Sequence, residues 1–172
     1  MENLHDDDWW KKKEKHATFS MDGVYRYDLL RRWGPGAAVN FIGLNPSTAD
    51  ATLDDPTIRR CIGFAKTWGF DALWMTNLFA LRATDPKVML AAEEPFGSMN
   101  DVAIKTAAIR SELVVAAWGV HGAHLDADVN ARATLRHLHH LGLTKGGHPK
   151  HPLYLRAETK PVLWEAVREE SL

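Results

Sequence analysis

The chain has 172 residues, 45% hydrophobic and 25% charged, a composition that suits one globular domain and excludes a disordered tail, a collagen-like fibre and a coiled coil. A formal net charge of −1 gives no overall positive excess for gripping nucleic acid non-specifically, so any such contact must come from a local patch. No apolar run approaches the roughly 20 residues of a bilayer span, and the charged start, residues 1–15, does not read as a secretory signal. One cysteine, Cys61, allows neither an internal disulfide nor a Cys-based zinc or iron–sulfur site. A cytoplasmic protein with no membrane partner is expected.

Residues 1–16 carry Asp6-Asp7-Asp8 and Lys11-Lys12-Lys13 on either side of Trp9-Trp10, the pattern of a mobile charged N-terminus partly pinned by its tryptophans. Residues 17–172 read as a single α/β domain. Asp22-Gly23, between stretches 18–21 and 24–30, predicts an N-terminal β-hairpin with a tight turn. Gly34-Pro35-Gly36 then breaks the chain. Runs at 37–43, 72–78 and 113–119 are too apolar to alternate, which predicts parallel strands buried on both faces, and 139–144 is a shorter fourth. The first intervening helix is signposted by Asp55 as cap, Pro56 at the first position and Gly69 at the stop. Its buried stripe is Ile58, Cys61, Ile62, Ala65 and Trp68. Further helices are expected over 100–111 and over 126–138, the latter with Ala127, Ala131, Leu135 and Leu138 on one stripe. Alternating strands and helices predict a three-layer αβα sandwich around a mainly parallel four-stranded sheet, its core filled out by the seven tryptophans.

Ligands of open parallel sheets bind beyond the carboxyl ends of the strands. Asn45, Ser47 and Asp50 follow the first run; Asn77 ends the second, with Phe79 just beyond; Trp118 and His121 follow the third; Lys145, Lys150, His151 and Arg156 follow the fourth. Each alone is ordinary turn chemistry. Four such loops at one edge point to a site. Lys145, Lys150, Arg156 and Lys160 form one basic patch opposed only by Glu158, suited to phosphate. Seven of the nine histidines lie between His121 and His151, and His148 with His151 has a spacing open to a shared ion. Pro149 and Pro152 keep that stretch from being a helix and no Cys joins it, so no metal is expected.

Gly43-Leu44-Asn45-Pro46 resembles the first motif of the uracil-DNA glycosylase superfamily, particularly its mismatch-specific branch. Thr76-Asn77-Leu78 resembles that superfamily's strand-end Asn, which reads a pyrimidine edge, and the stretch from His151 to Arg156 resembles its His-Pro second motif. The strings at 44–50, 54–61, 77–86 and 143–155 resemble a family of small bacterial and phage proteins known as domain of unknown function 1643. The glycosylase likeness implies a fold of that type and a protein that recognises a nucleobase or nucleotide within DNA, without a cofactor, and cleaves its N-glycosidic bond. It implies catalytic roles for Asn45 and His151, a base-reading role for Asn77 and a stacking role for Phe79 or Trp118.

Asn45 stands where the monofunctional uracil enzymes carry a carboxylate. An amide can orient water but is a poor base. Asp50 is the nearest carboxylate in sequence and Asp54 the next. If apolar walls enclose Asp50, its pKa rises and it serves as the general base; otherwise it caps a turn. Asp54 has no other explanation in the sequence. Two further readings remain open: a non-hydrolytic base-binding or base-modifying protein on the same scaffold, in a phage or defence context, and an unrelated α/β hydrolase-like or metal-dependent enzyme.

Overall fold

The computed structural model describes residues 7–165. Seven strands form one mixed sheet: β1 (Lys15–Phe19), β2 (Arg26–Arg32), β3 (Ala38–Gly43), β4 (Ala72–Asn77), β5 (Leu113–Ala116), β6 (Leu138–His140) and β7 (Val162–Leu163), in the order β1-β2-β4-β3-β5-β6-β7. The central strands β4, β3, β5 and β6 are parallel, and β1, β2 and β7 add antiparallel edges. The expected four-stranded count is therefore corrected to seven. The hairpin is no appendage: β2 pairs with β4 from Leu29↔Met75 to Arg32↔Ala72 and becomes an interior strand.

Alternation along the central strands sends side chains to two covered faces. Val39, Phe41, Leu73, Met75 and Val115 pack on one face against Ile58, Cys61, Phe64 and Ala65 of α1 (Pro56–Thr67). On the other face Ile42, Val114 and Ala116 meet Met89 of α2 (Pro86–Ala91) together with Ala127 and Ala131 of α4 (Ala127–Thr134). Trp74 and Ala38 meet Ala107 of α3 (Asn100–Ile109) there as well. Burial between α1 and the sheet pushes the Cys61 thiol pKa far up, which leaves it an inert core group.

Helix α1 starts and stops where its residues dictate. The Asp55 carboxylate accepts from the Ile58 N–H at 2.9 Å, Pro56 occupies the first turn, and Gly69 takes φ +85° just past the end. Three other expectations are corrected. Helix α2 was not foreseen; Asp85 caps it within a stretch that reads as a strand-end loop. The third helix stops at Thr134 rather than 138, because Leu135 is extended and His137 takes φ +56°, which turns Leu138 into β6. The fourth strand is 138–140 rather than 139–144, since Gly142 at φ +113° ends it. Of the charged N-terminus, residues 1–6 lie outside the described residues; Trp9–Lys12 form a 3₁₀ turn that buries Trp10 against Trp74. Among the described residues no helix is long and apolar enough to cross a membrane.

Candidate functional site

Beyond the carboxyl ends of β3, β4 and β5 lies a cavity of about 620 Å³, well inside the roughly 300–1,000 Å³ of small-molecule sites. Asn45, Asn77, Trp118, Lys150 and His151 line it, each from a different predicted strand-end loop except the last two. Asp50, Phe79, Lys145 and Arg156 do not.

The loops meet through backbone bonds that continue the sheet past its strands. Leu78 N–H donates to Gly43 O and Phe79 N–H to Leu44 O, both at 2.9 Å. Asn45 Nδ2 donates to Ala83 O at 2.9 Å and Pro46 O at 3.2 Å, fastening the first loop to the second and leaving only Oδ1 for a ligand. Gly119 N–H donates to Pro149 O at 3.0 Å, joining the third loop to the fourth. The Arg60 guanidinium on α1 donates to the carbonyls of Pro152 and Leu155, which holds the His151 loop from the opposite side.

Asn77 ends β4 opposite Gly43, and a Cβ at Gly43 would sit 2.7 Å from Asn77 Oδ1. Only glycine leaves room for this amide. The Asn77 side chain is almost fully buried, and its Nδ2 has no protein partner. His151 caps the 3₁₀ turn Pro152–Tyr154, and its Nδ1 accepts the Leu153 N–H at 3.2 Å. Acceptance at Nδ1 makes Nε2 the protonated nitrogen of a neutral ring. Burial lowers the His151 pKa, against a raising influence from Asp55.

A depressed histidine pKa favours the fold fully above the unfolded value of about 6.5, and that contribution is lost as pH falls through the folded value. The stability of the wild type relative to His151→Asn, which cannot titrate, should therefore decline as pH falls below about 6.5 in urea denaturation. A constant difference would contradict the buried neutral ring.

Several expected roles change on the structure. Asp50 is not enclosed: its Oδ1 accepts the Leu53 and Thr52 N–H groups at 2.8 Å, and these bonds hold its pKa below the usual carboxylate range rather than above it. It caps its own turn. Asp50→Asn keeps that cap and should leave stability and ligand affinity unchanged in thermal unfolding and calorimetry. Asp54 pairs at 2.7 Å with Arg31, a buried guanidinium that also donates to Asp50 O, so its role is to fasten this loop to β2. Phe79 is fully buried against Phe96 and His124. Trp118 reaches the cavity, but it is 1% exposed, with Gly122 packed close against its pyrrole ring and Trp164 at 5.9 Å, so little of it is open for stacking. Tyr154 and His121 bring exposed rings to the cavity. Of the basic patch, Lys150 lines the cavity, whereas Lys145 and Arg156 sit on the outer surface. Among the described residues, no group of three or more His, Cys, Asp or Glu side chains is placed to hold a metal ion.

Two lining residues escaped the sequence reading as site groups. Asp55, explained in sequence by its cap, is the one carboxylate that lines the cavity among the described residues. Arg26 lay inside the hairpin, where nothing in the sequence marked it. No curated protein and no solved structure matches the chain significantly. Residues 26–153 match the family described as "Protein of unknown function (DUF1643)", a span that takes in the first three loops of the cavity and the fourth as far as Leu153, and the chain belongs to that family.

Proposed function

We propose that the cavity recognises a nucleobase, in nucleic acid or in a nucleotide, and supports hydrolysis of its N-glycosidic bond in the manner of the uracil-DNA glycosylase superfamily. One observation carries the reading: Asn45, Asn77 and His151, the three motif residues of that resemblance, line the same cavity at the carboxyl edge of the parallel sheet. Asn77 brings an unpartnered Nδ2 and His151 an Nε2–H, two donors suited to the oxygens of a pyrimidine.

Cleavage breaks the bond from C1′ to the base nitrogen and leaves the electron pair on the base. A neutral His151 stabilises that charge by donating from Nε2 to a base oxygen. Water adds to C1′, and its proton goes to Asp55, the carboxylate that takes over the part expected of Asp50. Tyr154 offers its face at the rim to the base or sugar.

Base binding without hydrolysis is the second reading. Asn45 favours it, because its amide nitrogen is spent on backbone carbonyls and a carboxylate is missing from its position. Incubation with single-stranded and duplex DNA carrying uracil and other altered bases, read by alkaline strand cleavage and release of free base, separates the two. Release that disappears in His151→Ala supports hydrolysis. Binding with no release in any substrate supports the second reading, and absence of both rejects base recognition.

A further inference from the structure

Arg26 is a buried, charged residue of the cavity that base recognition leaves unused. Pairing of β1 with β2 runs Thr18↔Asp28 and then Phe19↔Arg26, so Tyr27 is an extra, bulged residue. Strict alternation would place Arg26 on the face opposite Arg31, five positions away. The bulge returns it to the side of α1, where it lines the cavity beside Ser47, Asp55 and Thr57. Its side chain is 2% exposed. Nη1 donates to Ala49 O at 2.9 Å, and Nε has no partner among the described residues.

A guanidinium so enclosed carries a desolvation cost, which pushes its pKa down to about 10. Asp55 compensates only in part: its Oδ1 already holds the Ile58 N–H, and among the described residues no carboxylate forms an ion pair with Arg26. Two basic side chains, Arg26 and Lys150, and one carboxylate, Asp55, line the cavity among the described residues. A single pyrimidine ring would also leave most of the roughly 620 Å³ empty.

We propose that Arg26 forms an anion subsite that takes the phosphate of the same nucleotide whose base is read by Asn77 and His151. This rests on the base-recognition reading for the second half of the ligand but not for the first. An arginine fork is the group suited to phosphate oxygens, and the bulge that aims it into the cavity gives β2 a role beyond the core. The phosphate can be the terminal monoester of a free nucleotide or a diester within a strand; the chemistry at Arg26 is shared.

The test is calorimetric titration of the full chain with uridine, thymidine, cytidine, adenosine and guanosine, each against its 5′-monophosphate. Inorganic phosphate and a short single-stranded oligonucleotide without terminal phosphates are the further ligands. At least one monophosphate should bind about tenfold or more tighter than its nucleoside, and the preference should collapse in Arg26→Gln while nucleoside affinity persists. An oligonucleotide that shows the same Arg26 dependence assigns the subsite to a strand phosphate; dependence confined to monophosphates assigns it to free nucleotides. If Arg26→Gln fails to fold, the wild-type preference, its decline with salt and the response of Arg26→Lys decide. Equal affinity for nucleoside and monophosphate in the wild type overturns the subsite, as does a preference that survives Arg26→Gln. Binding of inorganic phosphate through Arg26 with no nucleoside bound would keep the subsite and reject base recognition.

Discussion

Asp55→Asn is expected to lower base release by roughly 10²- to 10⁴-fold, the usual contribution of a positioned general base. The substitution isolates charge from structure. Asparagine caps a helix as well as aspartate does, so the bond from Ile58 N–H at the start of α1 is retained. Asp55→Ala removes both and should cost about 1 kcal/mol of stability in addition. Both variants deprive the buried Arg26 of its nearest compensating charge, so unfolding has to be measured beside activity. Turnover in Asp55→Asn equal to that of the wild type would remove Asp55 as the base and leave a water oriented by Asn45 Oδ1.

Asn77→Ala should weaken base binding by roughly tenfold to a hundredfold, the worth of one or two buried hydrogen bonds at about 1–1.5 kcal/mol each. Its amide is buried and Nδ2 is unpartnered, so no protein bond is lost at that nitrogen. Gly43→Ala reaches the same result from behind. The added methyl would lie 2.7 Å from Asn77 Oδ1 and 2.8 Å from the Met75 methyl; the methionine can give way, whereas the amide can only swing out of its reading position. Affinity measured by calorimetry should fall in both variants. Full affinity in Gly43→Ala, with Asn77→Ala impaired, would show that the amide tolerates displacement.

The central strands, α1 and the convergence of four loops were legible because each rests on a local rule: unbroken apolar runs for β3, β4 and β5, and the Asp55-Pro56 start of α1. The outer strands were not. β2 joins the sheet by pairing with β4, some 45 positions further along the chain, and β7 is two exposed residues with no periodicity to read. Within the site, Asn77 and His151 could be found because strand ends mark them. Asp55 lines the cavity and Asp50 does not, for a physical reason. Both accept backbone N–H bonds, but only Asp55 stands where α1 begins at the cavity wall. Arg26 depends on a one-residue bulge, which no pattern of apolar residues announces. Phe79 was misplaced because a strand-end aromatic can point inward as readily as outward.

Site-resolved NMR of the side-chain amides and histidine rings tests base recognition most directly, during titration with uridine, thymidine, cytidine, adenosine and guanosine in turn. At least one nucleoside should shift the Asn77 amide and His151 Nε2 signals together, saturating at a common concentration, with the amide of Asn130, exposed on α4 and outside the cavity, unaffected. Shifts confined to residues outside the cavity, or none with any of the five, would contradict it.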